Sequence, residues 1–124
     1  MRVEYLYVPD VLSCRSTDRL ADAARRLTEA GVGALAVLDD RAELTAIISE
    51  RDLARALAEQ IDPTAVDVAA YASRNVCVAT VGEDSSAVGR RMLDAGIRHL
   101  PVMDRGQLAG MVSMRDLLAV QTWA

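Results

Sequence analysis

The sequence predicts an α+β chain made of two copies of one β-α-β-β-α unit. Three observations carry that prediction. The stretch Gly96-Ile97-Arg98-His99-Leu100-Pro101-Val102-Met103-Asp104, continuing through Gly110-Met111-Val112-Ser113-Met114-Arg115-Asp116, shares its skeleton with the stretch from Gly31 to Leu53. Gly31, Leu35, Val37 and Asp39 answer Gly96, Leu100, Val102 and Asp104 at an offset of 65. Past the turn the offset is 64, because the second turn is one residue shorter; Ser49, Arg51, Asp52 and Leu53 answer Ser113, Arg115, Asp116 and Leu117. Self-similarity at a fixed offset is the signature of a repeated structural unit. The second observation is a helical period: Leu20, Ala23, Ala24 and Leu27 recur at i, i+3, i+4 and i+7. The third is that each copy holds two short apolar runs separated by a polar turn, which is the pattern of a β-hairpin.

Taken in order, Tyr5-Leu6-Tyr7-Val8 leads in before a Pro9-Asp10 break, and Val11 to Cys14 reads as a short strand. Ser16-Thr17-Asp18 has the composition of a helix start. Arg19, Asp22, Arg25, Arg26 and Glu29 fill the polar face of the helix that follows, and Gly31 ends it, as glycine does just past a helix C-terminus. Ala34 to Leu38 and Leu44 to Ile48 form the hairpin around Asp39-Asp40-Arg41-Ala42-Glu43. Ser49 opens a second helix with Leu53, Ala54, Leu57 and Ala58 on its apolar face, and Asp62-Pro63-Thr64 links the copies. The second copy has a short helical lead-in at Val66 to Tyr71 and a strand at Val76 to Ala79. A helix from Glu83 to Leu93 follows, its acids set at the positive end of the dipole. His99 to Met103 and Leu108 to Val112 form a hairpin turning at Asp104-Arg105-Gly106-Gln107, and a closing helix runs from Ser113 to Gln121.

The domains divide as residues 1–64 and 65–124. A half of about 60 residues buries too little surface to be comfortable alone. Two like halves, each with a hydrophobic sheet face, are expected to pack about a pseudo-two-fold axis, with related clefts between them, a common setting for small ligands. The 124 residues include no Phe, one Trp and three Tyr, so the core must be aliphatic. A net charge of −4 argues against general nucleic-acid binding. No apolar run reaches membrane-spanning length, and the N-terminus has no signal-peptide apolar region, so the expected location is cytoplasmic. Cys14 and Cys77 form neither a CxxC nor a metal cluster. They read as buried thiols on the first strand of each copy.

The two copies resemble the CBS domain. The second copy carries G-I-R-H-L-P-V-M-D, a turn, then L-A-G-M-V-S-M-R-D-L-L, and the first carries G-V-G-A-L-A-V-L-D-D to I-I-S-E-R-D-L. Together they resemble a tandem CBS pair, or Bateman module. That resemblance implies a stand-alone regulatory module that binds an adenosine-type ligand (AMP, ADP, ATP or S-adenosylmethionine) in the clefts between repeats. It implies no other cofactor, a homodimer, and signalling to a regulated partner protein. In the first copy Ala46 replaces the glycine that Gly110 supplies and Ala36 replaces Pro101, which alters that copy's pocket.

Ser49-Glu50-Arg51-Asp52 and Ser113-Met114-Arg115-Asp116 each fall where a strand gives way to a helix. A helix N-terminus favours phosphate through its free N–H groups and partial positive charge. The serine hydroxyl can donate to a phosphate oxygen, and the aspartate can accept from the two hydroxyls of a ribose. The competing reading is a capping box, which needs no ligand. By resemblance, Arg98 and His99, answered in the first copy by Gly33 and Ala34, reach the phosphate of a ligand held at Ser49 and Asp52. Pro101 and Gly110 then border the ligand. On the same reading, the Ser113/Asp116 cleft lacks that cation and takes an uncharged adenosyl group. The bland reading of Arg98, as of Arg25-Arg26 and Arg90-Arg91, is a solvated surface arginine. Met92, Met103, Met111 and Met114 read as gap-filling core.

Two function classes therefore stand: a ligand-sensing module, and a structural or oligomerisation module whose caps are merely caps. An enzyme is not expected, since no nucleophile–base pair, P-loop or metal-ligand cluster can be argued from spacing.

Overall fold

In the computed structural model, which describes residues 1–3 and 12–123, each copy builds its own three-stranded sheet. The first contains β1 (Ser13–Arg15), α1 (Leu20–Ala30), β2 (Ala34–Leu38), β3 (Leu44–Ser49) and α2 (Glu50–Ala58). The second contains β4 (Ala79–Thr80), α3 (Ser85–Ala95), β5 (His99–Asp104), β6 (Gln107–Ser113) and α4 (Met114–Trp123). The predicted β-α-β-β-α order holds in both. The Tyr5 to Val8 lead-in, the Pro9-Asp10 break and Val11 lie outside the described residues. Sheet orders are β1-β2-β3 and β4-β5-β6. In each, a helical crossover lays the first strand parallel to the second, and a hairpin adds the third antiparallel. Cys14 lies opposite Val37 and Ala79 opposite Val102, so the offset of 65 is kept in the register.

Alternation along the strands decides which side chains form each core. Leu35, Val37, Ala46 and Ile48 join Leu20, Ala23 and Leu27 of α1 and Ala56 of α2 in one buried cluster. Leu100, Val102 and Val112 join Val88 and Met92 of α3 and Leu117 of α4 in the other. Neither set of buried residues contains an aromatic side chain, as the composition predicts. Gly31 and Gly96 both close their helices at φ 67. Beyond them, the Val32 N–H donates to the Leu27 carbonyl (3.1 Å) and the Ile97 N–H to the Met92 carbonyl (3.0 Å). The shorter second turn is a two-residue loop, Arg105-Gly106, with φ 52 and 80, the twist that suits a tight hairpin.

Several elements differ from the sequence expectation, each for a local reason. The helix start at Ser16 to Asp18 is not the cap of α1. Arg19 occupies that place, and the Asp22 carboxylate accepts its N–H at 3.0 Å. The second copy's first strand is Ala79–Thr80, so Val78 and Cys77 lie outside it. On α2 the inward residues are Ala56 and the half-buried Leu53, whereas Ala54, Leu57 and Ala58 are exposed, Leu57 by 64%. The spacing identified a real apolar stripe, of which Leu53 packs against the core while Ala54, Leu57 and Ala58 stay exposed.

The arginine pairs also divide. Arg25 is surface, within 3.5 Å of Asp22. Arg26 instead donates through Nη1 to the Ser13 carbonyl and to Asp18, both at 3.0 Å, and Asp18 accepts the Arg15 N–H at 2.9 Å. The same clasp recurs 65 residues on. Arg91 Nη1 donates to the Val78 carbonyl (2.7 Å), the guanidinium pairs with Glu83, and Glu83 accepts the Thr80 N–H (2.7 Å). Each clasp ties the helix to both ends of its first strand, at Ser13 and Arg15 in one unit and at Val78, just before β4, and Thr80 in the other.

Among the described residues, 12–76 form one compact unit and 1–3 with 77–123 the other. These packing units do not end at the 64/65 division of the repeats. The stretch Val66 to Tyr71 contains a 3-10 turn, Val68–Ala70, and belongs with the first unit. Val68 is fully buried there, and its N–H donates to the Asp18 carbonyl at 2.7 Å. Val3 is buried in the second core, its N–H donating to the Glu83 carbonyl at 2.8 Å.

Gly31→Ala and Gly96→Ala should each cost about 1 kcal/mol in urea denaturation, because a Cβ is strained at that φ. Glu83 offers a pH test. The Arg91 hydrogen bond, then the Thr80 N–H, hold its carboxyl below the usual 4.5. Its contribution is therefore complete above that value and is lost as pH falls through the folded-state pKa. Urea midpoints measured from about pH 6 to about pH 3 should fall less steeply in Glu83→Gln than in the wild type. Parallel curves would show that the clasp carries no pH-dependent stability.

Candidate functional site

Both Ser-x-x-Asp motifs form closed hydrogen-bonded rings at a strand-to-helix junction. Ser49 has extended backbone angles (φ −121, ψ 166), so β3 runs straight into the first turn of α2. Its N–H and hydroxyl donate to Asp52 Oδ2 at 2.8 and 3.0 Å, and the Asp52 N–H reaches Ser49 Oγ at 3.4 Å. In the second unit the Ser113 N–H donates to Asp116 Oδ2 at 3.3 Å and the Asp116 N–H to Ser113 Oγ at 3.1 Å. Both are capping boxes. The capping reading is thus realised, and it leaves carboxylate lone pairs for further donors. All four residues are half-buried, and the Asp52 side chain is 15% exposed.

A second bond builds each junction. The Glu50 N–H donates to the Gly33 carbonyl at 3.0 Å, and the Met114 N–H to the Arg98 carbonyl at 2.8 Å. The residue preceding the hairpin is thereby docked on the helix start. Arg98, whose side chain is exposed, therefore sits beside the Ser113/Asp116 box of its own unit. His99 lies opposite Ser113 in the ladder, as Ala34 lies opposite Ser49. The helix start expected to lack a cation has one attached to its backbone partner.

Alternation sorts the remaining predicted residues. His99, Pro101, Met111 and Ser113 share the face of the second sheet that points away from Leu100, Val102 and Val112. Pro101 is fully buried there, and Ala36 takes its place in the first sheet. Gly110 lies opposite Val102 and Ala46 opposite Val37, on the core side. The Ala-for-Gly difference between the copies is therefore one of core packing. The methionines divide too: Met92 is buried in the core and Met114 packs against it, while Met103 and Met111 are half-buried on the other face.

Neither cysteine lies on a site. Cys14 is buried, and burial, with Asp18 adding to it, pushes its thiol up to about 11, so it stays protonated and unreactive near neutral pH. Cys77 is half-buried and precedes β4 rather than lying in it. Among the described residues no three His, Cys, Asp or Glu side chains are placed to hold a metal. A recess of about 380 Å³ at β1, lined by Ser13, Cys14, Arg15, Asp18 and Arg26 among others, contains none of the predicted site residues.

Sequence reasoning missed two features. The Arg26 and Arg91 clasps could have been found, because all their side chains obey the offset of 65. The contacts of Arg55, which lies 3.8 Å from Asp52, left no such signal, since Ala119 occupies the matching place in the second copy.

Comparisons with known proteins agree with this geometry. The family model of the CBS domain matches residues 3–59 and 68–122. A protein of Methanocaldococcus jannaschii is 32% identical over 93% of this chain, which spans 41% of that protein's length. The chain spans 59% of each of the two relatives that match next. A solved CBS domain protein from Pyrobaculum aerophilum complexed with AMP superposes with a TM-score of 0.89 at 23% identity over the whole of both chains. The CBS domain pair of protein MJ0100, in complex with 5′-methylthioadenosine and S-adenosyl-L-methionine, superposes with a TM-score of 0.91 at 23% identity, covering 99% of this chain and 97% of its own.

The capping boxes make a direct stability prediction. Ser49→Ala and Ser113→Ala should each lower the free energy of unfolding by about 1 kcal/mol, read from urea denaturation. Unchanged midpoints would mean that the serines do not hold the helix starts.

Proposed function

The chain belongs to the CBS domain family, and from that premise we propose that it is a regulatory module binding an adenosine-type ligand at its Ser-x-x-Asp helix starts. The observation that carries the proposal is the pair of half-buried carboxylates, Asp52 and Asp116, each fixed by its own serine at a helix N-terminus. A carboxylate so fixed accepts from two neighbouring hydroxyls, as a ribose presents them, without first paying to be ordered. The N-terminal end of the helix favours the phosphate of AMP, ADP or ATP. Arg98 and His99 supply cationic or hydrogen-bonding groups for a phosphate. Complexes of related CBS proteins with AMP and with S-adenosyl-L-methionine and 5′-methylthioadenosine support this ligand class.

The module's output is a change in its preference for a partner protein, which requires only that the ligand bind one conformation better than another. It binds its nucleotide without turning it over. A homodimer in the cytoplasm is the working assembly, in keeping with the exposed Leu57 and Leu93 on its helices. The fact that both boxes satisfy themselves favours a second reading, a structural module whose serines and aspartates are only caps.

Thermal melting with AMP, ADP, ATP, S-adenosylmethionine and 5′-methylthioadenosine in turn separates the two readings. A ligand present at about 100 times its Kd adds about 2.7 kcal/mol, which is a shift on the order of 5–10 °C for a chain of this size. One of the five should give such a shift, and Asp52→Ala should abolish it. Loss only in Asp116→Ala would move the main site to the second unit, and no shift with any ligand would leave the structural module.

A further inference from the structure

Three residues past Asp52, the Arg55 guanidinium reaches several groups at once. Its Nη2 lies 3.8 Å from Asp52 Oδ1 and donates to the Tyr71 carbonyl at 3.0 Å. Its Nε is 4.0 Å from Glu59 Oε2. Its Cζ stands 5.3 Å from the centre of the Tyr71 ring, and the Tyr71 hydroxyl donates to Glu59 Oε1 at 2.9 Å. Two residues further on, Ser73 exchanges both backbone hydrogen bonds with Ile47, at 2.9 and 3.0 Å. Ile47 lies on β3, the strand that ends in Ser49. The chain then runs to Val76, the last residue of the first unit, and crosses to Cys77. Arg55 thus stands between the Asp52 carboxylate and one of the two places where the chain passes from one unit to the other.

The second copy shows that this arrangement is not a requirement of the capping box. Asp116 closes the same box with Ala119 in the matching position. Resting on the reading of Asp52 as a ligand carboxylate, we propose that Arg55 is a positioning residue that couples occupancy of Asp52 to the 71–76 connector. Asp52 Oδ2 is engaged by Ser49, while Oδ1 faces Arg55 at a distance too long for a hydrogen bond. That attraction divides the guanidinium between Asp52 on one side and Tyr71 and Glu59 on the other. Ligand hydroxyls that donate to Oδ1 weaken its pull, and the guanidinium settles on the Tyr71 carbonyl and ring. The connector is then held more firmly along β3. Arg55 is 55% exposed, so water and salt screen the exchange and the coupling is several-fold in size. Coupling of this kind is reciprocal, so a ligand that tightens the connector is itself bound more tightly by it.

The test uses the full chain, with AMP and 5′-methylthioadenosine as probes. Binding is measured by calorimetry, and exchange of the Ser73 amide hydrogen by NMR. In the wild type, saturating probe should slow Ser73 exchange about threefold. Arg55→Gln should abolish the slowing and weaken binding by about the same factor. The variant's melting curve without ligand checks that it folds, as expected of an exposed position. Binding without slowing at Ser73, or undiminished slowing in Arg55→Gln, overturns the coupling and leaves the site reading intact. Failure of the wild type to bind these probes and the other three adenosine ligands overturns the site reading, and the coupling with it.

Discussion

The hydrogen bond from the first N–H of the closing helix back to the residue before the hairpin organises each unit. Glu50 makes it to Gly33 and Met114 makes it to Arg98. A helix start leaves N–H groups without intrahelical partners, and a hairpin entry leaves a carbonyl beyond its ladder. Joining them satisfies both and fixes where the helix leaves the sheet. The Ser-x-x-Asp box completes the same junction from the other side, with the serine as the last residue of the strand and the cap of the helix. Strand register, helix direction and the placing of the capping-box aspartate therefore share one small set of polar contacts. In the second unit that set includes the backbone of Arg98, so a cationic residue is carried to the helix start by a bond that involves none of its side chain.

Much of this was legible in the sequence because two copies were available to compare. The glycines at 31 and 96, the hairpin strands and the serine–aspartate pairs recur at offsets of 65 and 64 and lie where the repeat places them, whereas the first strand of each copy and the start of α1 are shifted by a few residues. The features that were not legible depend on contacts distant in sequence. Val68 reads as part of the second copy's lead-in, yet it completes the first core, because the first sheet and α1 leave an apolar gap that the chain fills on its way out. Leu57 belongs to a helical stripe by spacing, but spacing cannot say whether anything covers the stripe. Arg26 and Arg91 read as solvated surface because a charged residue at a polar helical position normally is. Only the carbonyl of a short strand one helix-width away gives them another role.

The copies differ most where they would be used. Their cores are built alike from aliphatic side chains, and their helices end in the same glycine turn. At the junctions, however, one copy sets Gly33, Ala34 and Ala36 where the other sets Arg98, His99 and Pro101, and only the first copy places an arginine one turn beyond its aspartate. The two frames are alike, and differences at a few positions, some exposed (Arg98, Arg55) and some buried (Ala36, Pro101), make them chemically distinct.

The pairing of Val3 with Glu83 has a consequence for how the chain acquires its structure. The first unit, residues 12–76, holds its own sheet, core and connector, and can be complete before Glu83 has left the ribosome. The second cannot, since one of its buried residues, Val3, must wait for a partner eighty positions later. Closing so long a loop carries an entropic cost that only the finished second core offsets. Synthesis should therefore pass through a stage in which the middle of the chain is folded and the N-terminal residues are still unpaired. During that stage Val3 lacks the core that buries it in the finished unit.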